Sequence, residues 1–147
     1  MRQSFEVEAT SAAAPEAVFA VLADGSRWKD WAGPLVRRSM WEREGSPAPG
    51  GVGAIRKLGA PPVFGREEIV EYDPPRRLSY VMLSGQPVRD YRADVDLEPA
   101  GDGTHITWRS SFKPLLPGTG PLMRRYLAAI VGGFARRLAA YAAERTP

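Results

Sequence analysis

Cysteine is absent from this 147-residue chain, and histidine occurs only once, at position 105. Without thiols the protein can form neither disulfides nor zinc–thiolate sites, and it has no cysteine nucleophile. His105 falls on the polar face of a predicted strand, and no G-x-S-x-G sequence accompanies it, which argues against a hydrolase triad. The His, Asp and Glu residues show no spacing typical of a metal site, so we expect neither a metal nor another cofactor.

Long apolar runs are missing as well. The first residues, MRQSFEVEAT, alternate polar and apolar side chains and lack the apolar core of a signal peptide. The longest apolar stretch of helical character is interrupted by Arg136 and Arg137, so we expect no transmembrane segment. A cytoplasmic location is expected, and a chain without cysteine suits it. Length and an ordinary globular composition predict one domain over residues 1–147.

The net charge of +3 comes largely from arginines near the C-terminus. Arg124, Arg125 and Arg136 would form a basic helix face, which is either simply solvated or a contact surface for an anionic partner. Nucleic acid is not expected as a partner, because the aromatic residues are predicted to face inward and do not alternate with an exposed basic stripe. The sequence leaves open whether the protein is a monomer or a homodimer.

The N-terminal third predicts one strand followed by two short helices. Phe5, Val7 and Ala9 alternate with polar residues, as in a half-buried strand. Pro15 suits the first turn of a helix that ends at Asp24-Gly25. Ser26 is placed to cap a second helix, which carries Trp28 and Trp31 on one face.

The middle of the chain reads as an antiparallel meander, because turns rich in proline and glycine recur too often for parallel crossovers. After Pro121 the apolar period becomes helical through to about residue 143, which predicts one long amphipathic helix. Its Gly132-Gly133 pair suggests close packing or a bend. The apolar stripe of this helix is Met123, Leu127, Ile130, Phe134, Leu138 and Tyr141. The predicted strands are Val36–Glu44, Val52–Leu58, Phe64–Tyr72, Leu78–Leu83, Val88–Leu97 and Thr104–Phe112.

This order of elements predicts an α+β fold in which a seven-stranded antiparallel sheet curves around the long C-terminal helix. A flat sheet would pack closely on the helix, whereas a strongly curved one leaves a cavity between them. The two short helices would then close one end of that cavity. Trp28 and Trp31 are therefore expected to cap it, burying about 150–250 Å² each.

Three stretches carry a resemblance to a known superfamily: EEIVEYDPPRRLSY, DYRADVDLEPAGDGTHITWRSSF and GGFARRLAAYAAE. With the element order, they make the chain, from Phe5 to Ala143, similar to the START/Bet v 1-like (SRPBCC) superfamily, and within it to the polyketide cyclase/dehydrase-like branch of bacterial proteins. The resemblance implies a helix-grip fold with a deep cavity for an apolar ligand. It implies function less narrowly, because the superfamily includes lipid carriers, polyketide aromatase/cyclases and hormone receptors.

Arg56 is the most informative single residue. It shares one face of its predicted strand with Val52, Ala54 and Leu58, and this face is the more apolar one. Arg56 therefore points into the cavity, unless the register differs by one residue and leaves it on the surface. A buried guanidinium needs a carboxylate, a ligand oxygen or ordered water. In cyclase members, the resemblance implies that an inward Arg here holds or polarises a ligand carbonyl.

Tyr91 and Trp108 are predicted to face inward from neighbouring strands, because the residues that alternate with them are polar or charged. The long helix would direct Ile130 and Phe134 at the cavity and place Tyr126 near its mouth. Each of these residues is either wall packing or a ligand contact, and so are the two capping tryptophans. Arg56 and Tyr91 are the catalytic candidates. The predicted ligand-binding set is Trp28, Trp31, Arg56, Tyr91, Trp108, Tyr126, Ile130 and Phe134.

Three classes of function follow from this reading. The first is binding of a hydrophobic or aromatic small molecule, a lipid or polyketide-like compound, in the internal cavity. The second is a polyketide cyclase or dehydratase that acts in the same cavity by positioning its substrate, with acid–base help from Arg56 or Tyr91. The third is an interaction module that uses the basic helix face. The sequence does not decide between an enzyme and a carrier.

Overall fold

A computed structural model describes residues 2–145. Seven strands form one sheet in the order β1-β7-β6-β5-β4-β3-β2, and every neighbouring pair is antiparallel. The predicted meander of strands β2 to β7 is confirmed. Strand β1 forms one edge of the sheet by pairing with the last strand, β7. The helices are α1 (Pro15–Ala23), a 3-10 turn (Trp28–Asp30) and α2 (Gly120–Glu144). The strands are β1 (Gln3–Ser11), β2 (Arg38–Arg43), β3 (Ile55–Ala60), β4 (Val63–Asp73), β5 (Arg77–Ser84), β6 (Val88–Ala100) and β7 (Gly103–Pro114).

The sheet curves around α2, as the sequence predicts. Register shifts interrupt the pairing of β2 with β3, of β4 with β5 and of β6 with β7. Such irregularities bend the strand that carries the extra residue and increase its twist. On the concave side the inward residues of β6 and β7 are buried at every second position, as their alternation predicts.

The start of β3 was predicted wrongly. The strand begins at Ile55 instead of Val52, and Val52 forms only an isolated bridge with Ser46. Gly53 has a φ of +92°, a conformation that interrupts an extended strand. Val52 is consequently 49% exposed and does not belong to the inner face. Ile55, which alternation with Arg56 predicts to lie on the opposite, outer face, is also buried.

The later strands run further than predicted. β6 extends to Ala100 and β7 begins at Gly103, so a two-residue turn, Gly101-Asp102, joins them. Gly101 supplies the positive φ, +60°, that a tight turn of this kind requires. The predicted strand ends at Leu97, two residues before Pro99. Pro99 does not end β6, since it pairs with Thr104 of β7.

The second short helix is only a 3-10 turn, and Ser26 does not cap it. The Ser26 hydroxyl donates to Asp24 Oδ1 at 2.6 Å, and the residue at the N-cap position is Arg27. The 3-10 turn is instead tied to the sheet, where Lys29 N–H donates to the Ser39 hydroxyl at 3.0 Å. Long-range bonds therefore replace the local cap.

Helix α2 packs on β1 and on the inner face of the sheet. The Ser11 hydroxyl of β1 donates to the Ala139 carbonyl at 2.7 Å. The buried face of α2 differs from the predicted stripe, in which Ile130 and Phe134 are only half-buried. Both of these residues border a cavity, and Phe134 also packs against Trp108 of β7, with ring centroids 6.3 Å apart. The buried side chains of the helix are Leu127, Val131, Ala135, Leu138, Ala139 and Ala142.

Candidate functional site

A cavity of about 230 Å³ lies between α2 and the sheet. Three glycines belong to its lining: Gly59 of β3, Gly65 of β4, and Gly85, which follows β5. A Cβ at Gly65 would meet no atom closer than 3.7 Å, so the lack of a side chain there leaves space opposite α2 unfilled. A more open depression of about 590 Å³ lies against α1. We take the former as the candidate site because a protected, largely apolar cavity is the usual form of a small-molecule site. Its lining comprises Leu35, Val36, Leu58, Gly59, Ala60, Val63, Gly65, Glu67, Tyr80, Met82, Gly85, Gln86, Tyr91, Tyr126, Leu127, Ile130, Val131 and Phe134.

An aromatic cluster lies behind one side of this cavity. Trp28 packs 4.6 Å from Trp31, 6.0 Å from Trp108 and 5.5 Å from Phe134, measured between ring centroids. Trp28 Nε1 also donates to the Leu22 carbonyl at 3.0 Å, which fixes the ring against α1. Only Phe134 of these four rings belongs to the cavity lining. The three tryptophans lie outside the lining and pack behind Phe134.

Arg56 points into the interior and is fully buried, with 0% of its side chain exposed. Its Nε donates to Glu67 Oε1 at 2.9 Å, and its Nη1 lies 3.4 Å from the Leu22 carbonyl oxygen. The guanidinium carbon lies 4.2 Å from the centroid of the Trp28 ring and 4.6 Å from that of Tyr80. The partner that a buried arginine requires is thus a carboxylate of the chain itself, and Arg56 does not line the cavity.

Glu67 is the site residue that sequence reasoning missed. It lies on β4 directly opposite Arg56, and it lines the cavity. Burial raises the pKa of its carboxyl and the neighbouring guanidinium lowers it, with a net increase. A signal was present in the sequence, because a turn at Pro61-Pro62 places positions 56 and 67 opposite each other. The requirement of Arg56 for an anion would then have singled out Glu67 from its acidic neighbours.

Two tyrosines supply the other polar groups deep in the cavity. The Tyr91 hydroxyl donates to Ser110 Oγ at 2.9 Å. Burial raises the pKa of the Tyr91 phenol, and it also raises that of Tyr80 well above the ordinary value. Both phenols are therefore protonated at neutral pH and act as hydrogen-bond donors, not as bases.

The structure divides the predicted ligand-binding set into two groups. Tyr91, Tyr126, Ile130 and Phe134 line the cavity, and Tyr126, 51% exposed, is at its outer end. Ligand contact remains a prediction for all eight residues. The four that lie outside the lining are Trp28, Trp31, Arg56 and Trp108.

Outside the cavity the described residues offer little further chemistry. His105 is on the outer face of the sheet, where its Nε2 lies 2.9 Å from Glu8 Oε1. Within residues 2–145 no three His, Asp or Glu side chains converge as a metal site would require. The described part of the chain also contains no helix with the length and apolar character needed to cross a membrane.

A curved antiparallel sheet that grips a long C-terminal helix is the helix-grip fold of the START/Bet v 1-like superfamily, so the predicted fold class and resemblance are confirmed. Residues 2–143 match the family described as polyketide cyclase / dehydrase and lipid transport. The chain belongs to this family.

Solved structures share the fold at low sequence identity. The crystal structure of Ara h 8.0201 superposes with a TM-score of 0.76 at 20% identity, covering 99% of this chain and 100% of that one. A START superfamily protein from Mycobacterium smegmatis gives 0.79 at 14% identity, with 99% of both chains covered. The di-domain ARO/CYC StfQ of the steffimycin biosynthetic pathway gives 0.79 at 19% identity, covering 99% of this chain and 52% of that one. No curated protein matches the sequence.

Proposed function

We propose that this protein binds a small hydrophobic or aromatic molecule in the cavity between α2 and the sheet. The observation that carries the proposal is the cavity itself, whose lining is mostly apolar and whose floor has only a few polar groups. Burial of ligand surface there would contribute about 25 cal/mol per Å² of apolar area, and the polar groups would set the orientation. Membership of a family whose description includes lipid transport supports the same reading.

The volume limits the size of the ligand. An apolar cavity of roughly 150 Å³ admits benzene. The cavity of about 230 Å³ is half as large again, which suits two fused rings or a molecule of similar bulk. We therefore use 2-methoxynaphthalene, a neutral bicyclic compound, as the probe.

The test is calorimetric titration of the purified protein with 2-methoxynaphthalene, followed by the same titration of Gly65→Val. Gly65 lines the cavity, and a Cβ built there meets only the Ser84 and Leu58 carbonyl oxygens, at 3.7 and 3.8 Å. Valine suits a strand, so the variant should keep its melting temperature while filling the cavity and weakening binding at least tenfold. Gly132→Ala is the matched control, because it adds a methyl group beside Val7, away from the cavity. Equal affinity in wild type and Gly65→Val would contradict the proposal.

The alternative is a polyketide cyclase or dehydratase acting in the same cavity. It is favoured by the phenol of Tyr91 in an apolar lining, where a protonated donor could exchange its hydrogen bond to Ser110 for one to a ligand carbonyl. The structure of norcoclaurine synthase from Thalictrum flavum, an enzyme by its name, shares the fold, with a TM-score of 0.78 at 15% identity and 100% of this chain and 90% of that one covered. Mass spectrometry of the ligand that co-purifies with the protein and is then released separates the two functions. A carrier releases its ligand unchanged, whereas an enzyme releases a product.

Three coarser expectations accompany the proposal. We propose that residues 1–147 act as one ligand-binding domain, that the protein works in the cytoplasm, and that it needs no metal or cofactor. The interaction module remains the third class, with Arg124, Arg125 and Arg136 exposed on α2. Salt-sensitive binding to anionic vesicles would favour that class.

A further inference from the structure

The cavity has one charged group. Among residues 2–145, Glu67 is the only Asp, Glu, Lys or Arg whose side chain belongs to the lining. It is on β4 between Gly65 and Ile69, on the inward face of the strand. The residue as a whole is buried, but 11% of its side chain is exposed. Since Glu67 lines the cavity, this small exposed part is available to an occupant.

The carboxylate is only partly satisfied by the protein. Oε1 accepts a hydrogen bond from Arg56 Nε at 2.9 Å. No hydrogen bond to the second oxygen, Oε2, is found among the described residues. A carboxylate oxygen has two acceptor positions, and in an apolar cavity it gains most from a donor that replaces water.

The paired cation is withheld from the cavity. Arg56 is stacked between the rings of Trp28 and Tyr80, and Tyr80 rather than Arg56 appears in the lining. The ion pair is neutral as a whole, so the cavity has no net charge with which to hold an anion or a cation. An anionic ligand would meet the carboxylate first, and a cationic one would give up its hydration for a carboxylate that is already paired with Arg56. A neutral hydrogen-bond donor has neither cost.

We propose that Glu67 is the recognition group of the cavity and selects an uncharged apolar ligand that carries a hydroxyl group, a phenol or an alcohol, over its methylated or carboxylated analogues. The hydroxyl would donate to Oε2, and Arg56 would act as a positioning residue that holds the carboxylate in place. The Tyr91 oxygen could also accept a hydrogen bond while its proton is donated to Ser110, but it is neutral, and a hydrogen bond to a charged carboxylate is the stronger of the two. This inference rests on the proposed function, since it requires that the cavity binds a ligand.

The test uses three probes of one shape: 2-naphthol, 2-methoxynaphthalene and 2-naphthoate. At neutral pH the wild-type protein should bind 2-naphthol at least tenfold more tightly than 2-methoxynaphthalene, which lacks the donor, and 2-naphthoate most weakly. Calorimetric dissociation constants supply the comparison. Tightest binding of 2-naphthoate, or equal binding of the naphthol and its methyl ether, would overturn the inference and leave the proposed function standing.

Variants then locate the preference. The double variant Arg56→Met/Glu67→Met replaces the pair by apolar side chains of similar length, and it should bind 2-naphthol and 2-methoxynaphthalene within about twofold of each other. Glu68→Gln is the matched control, because Glu68 is the next residue on β4 and pairs with Arg43, and it should keep the wild-type preference. A preference that survives in the double variant assigns recognition elsewhere and overturns the inference. If the double variant does not fold, the wild-type series still decides, and failure of all three probes would instead count against the proposed function.

Discussion

Arg56 and Glu67 illustrate how two charges are accommodated in a protein interior. Each group alone would cost several kcal/mol to bury, and the pair is tolerated because the guanidinium has a carboxylate, a carbonyl and two aromatic faces around it. One atom, Nη2 of Arg56, is buried without a hydrogen bond among the described residues. The ion pair therefore fixes the positions of the two side chains more than it adds to the free energy of unfolding.

We predict that Glu67→Met alone destabilises the protein by about 3–5 kcal/mol, because it leaves a buried cation without its partner. Arg56→Met/Glu67→Met should recover most of that loss, since an apolar pair carries no desolvation cost. Urea unfolding measures both free energies. The exposed pair of Arg66 with Glu42 is the control, and its double replacement by Met should change the unfolding midpoint little. A double variant as unstable as the single one would show that the pair itself contributes to stability.

Among the secondary-structure elements, helix α2 has two roles, which are carried by neighbouring flanks of the same helix. One flank packs on the sheet through small and aliphatic residues, and the adjacent flank, with Tyr126, Ile130 and Phe134, borders the cavity. The glycine pair in its middle serves the first role. A Cβ at Gly132 would lie 3.7 Å from Val7 Cγ1 of β1, whereas one at Gly133 would lie only 2.8 Å from Arg137 Nη1.

Gly132→Ala should therefore stabilise the protein by about 0.5–1 kcal/mol. The added methyl group makes ordinary van der Waals contacts, and alanine loses less conformational freedom than glycine in a helix. Gly133→Ala should gain less, because the Arg137 guanidinium must move away from its place beside the Ala32 carbonyl. Thermal unfolding of the two variants gives the comparison. A lower melting temperature for Gly132→Ala than for the wild type would refute this account.

Across the whole molecule, most charged side chains other than the Arg56–Glu67 pair lie away from the cavity. The inner face is apolar apart from a few groups, and the outer face carries a network in which Asp94 accepts a hydrogen bond from Ser79 and pairs with Arg77 and Arg92. Burial by itself would raise the pKa of Asp94, but the Ser79 hydrogen bond and the two arginines together lower it below the ordinary value.

This makes the stability of the whole molecule depend on pH. A carboxyl whose pKa is lowered in the folded state contributes stability above its unfolded pKa and loses it as the pH falls through the folded value. The wild type should therefore be more stable than Asp94→Asn near neutral pH, and the difference should shrink as the pH drops below about 4. Urea midpoints measured from pH 7 downward provide the test. A difference that stays constant into strong acid would contradict this role of Asp94.

Part of the candidate site was predictable from local patterns. Alternation along β6 and β7 indicated that Tyr91 and Trp108 face inward, and both are buried. Alternation failed at the start of β3, where Gly53 breaks the strand, and it gave no reason to separate Glu67 from Glu68. That distinction depends on the β3–β4 register, and register follows from the turn and from the burial of one face rather than from either strand alone.

The kinds of element, their order and most of the inward-facing sides could be predicted from the sequence, because they follow from periodicities of two and 3.6 residues and from local turn residues. The place of the cavity and the groups that it presents to an occupant depend on the tertiary fold. The absence of a side chain at Gly65 leaves space open, Tyr80 stands between Arg56 and the cavity, and Glu67 becomes the exposed half of the ion pair. These features arise between residues distant along the chain, and their relative positions are fixed only when the sheet has closed around α2.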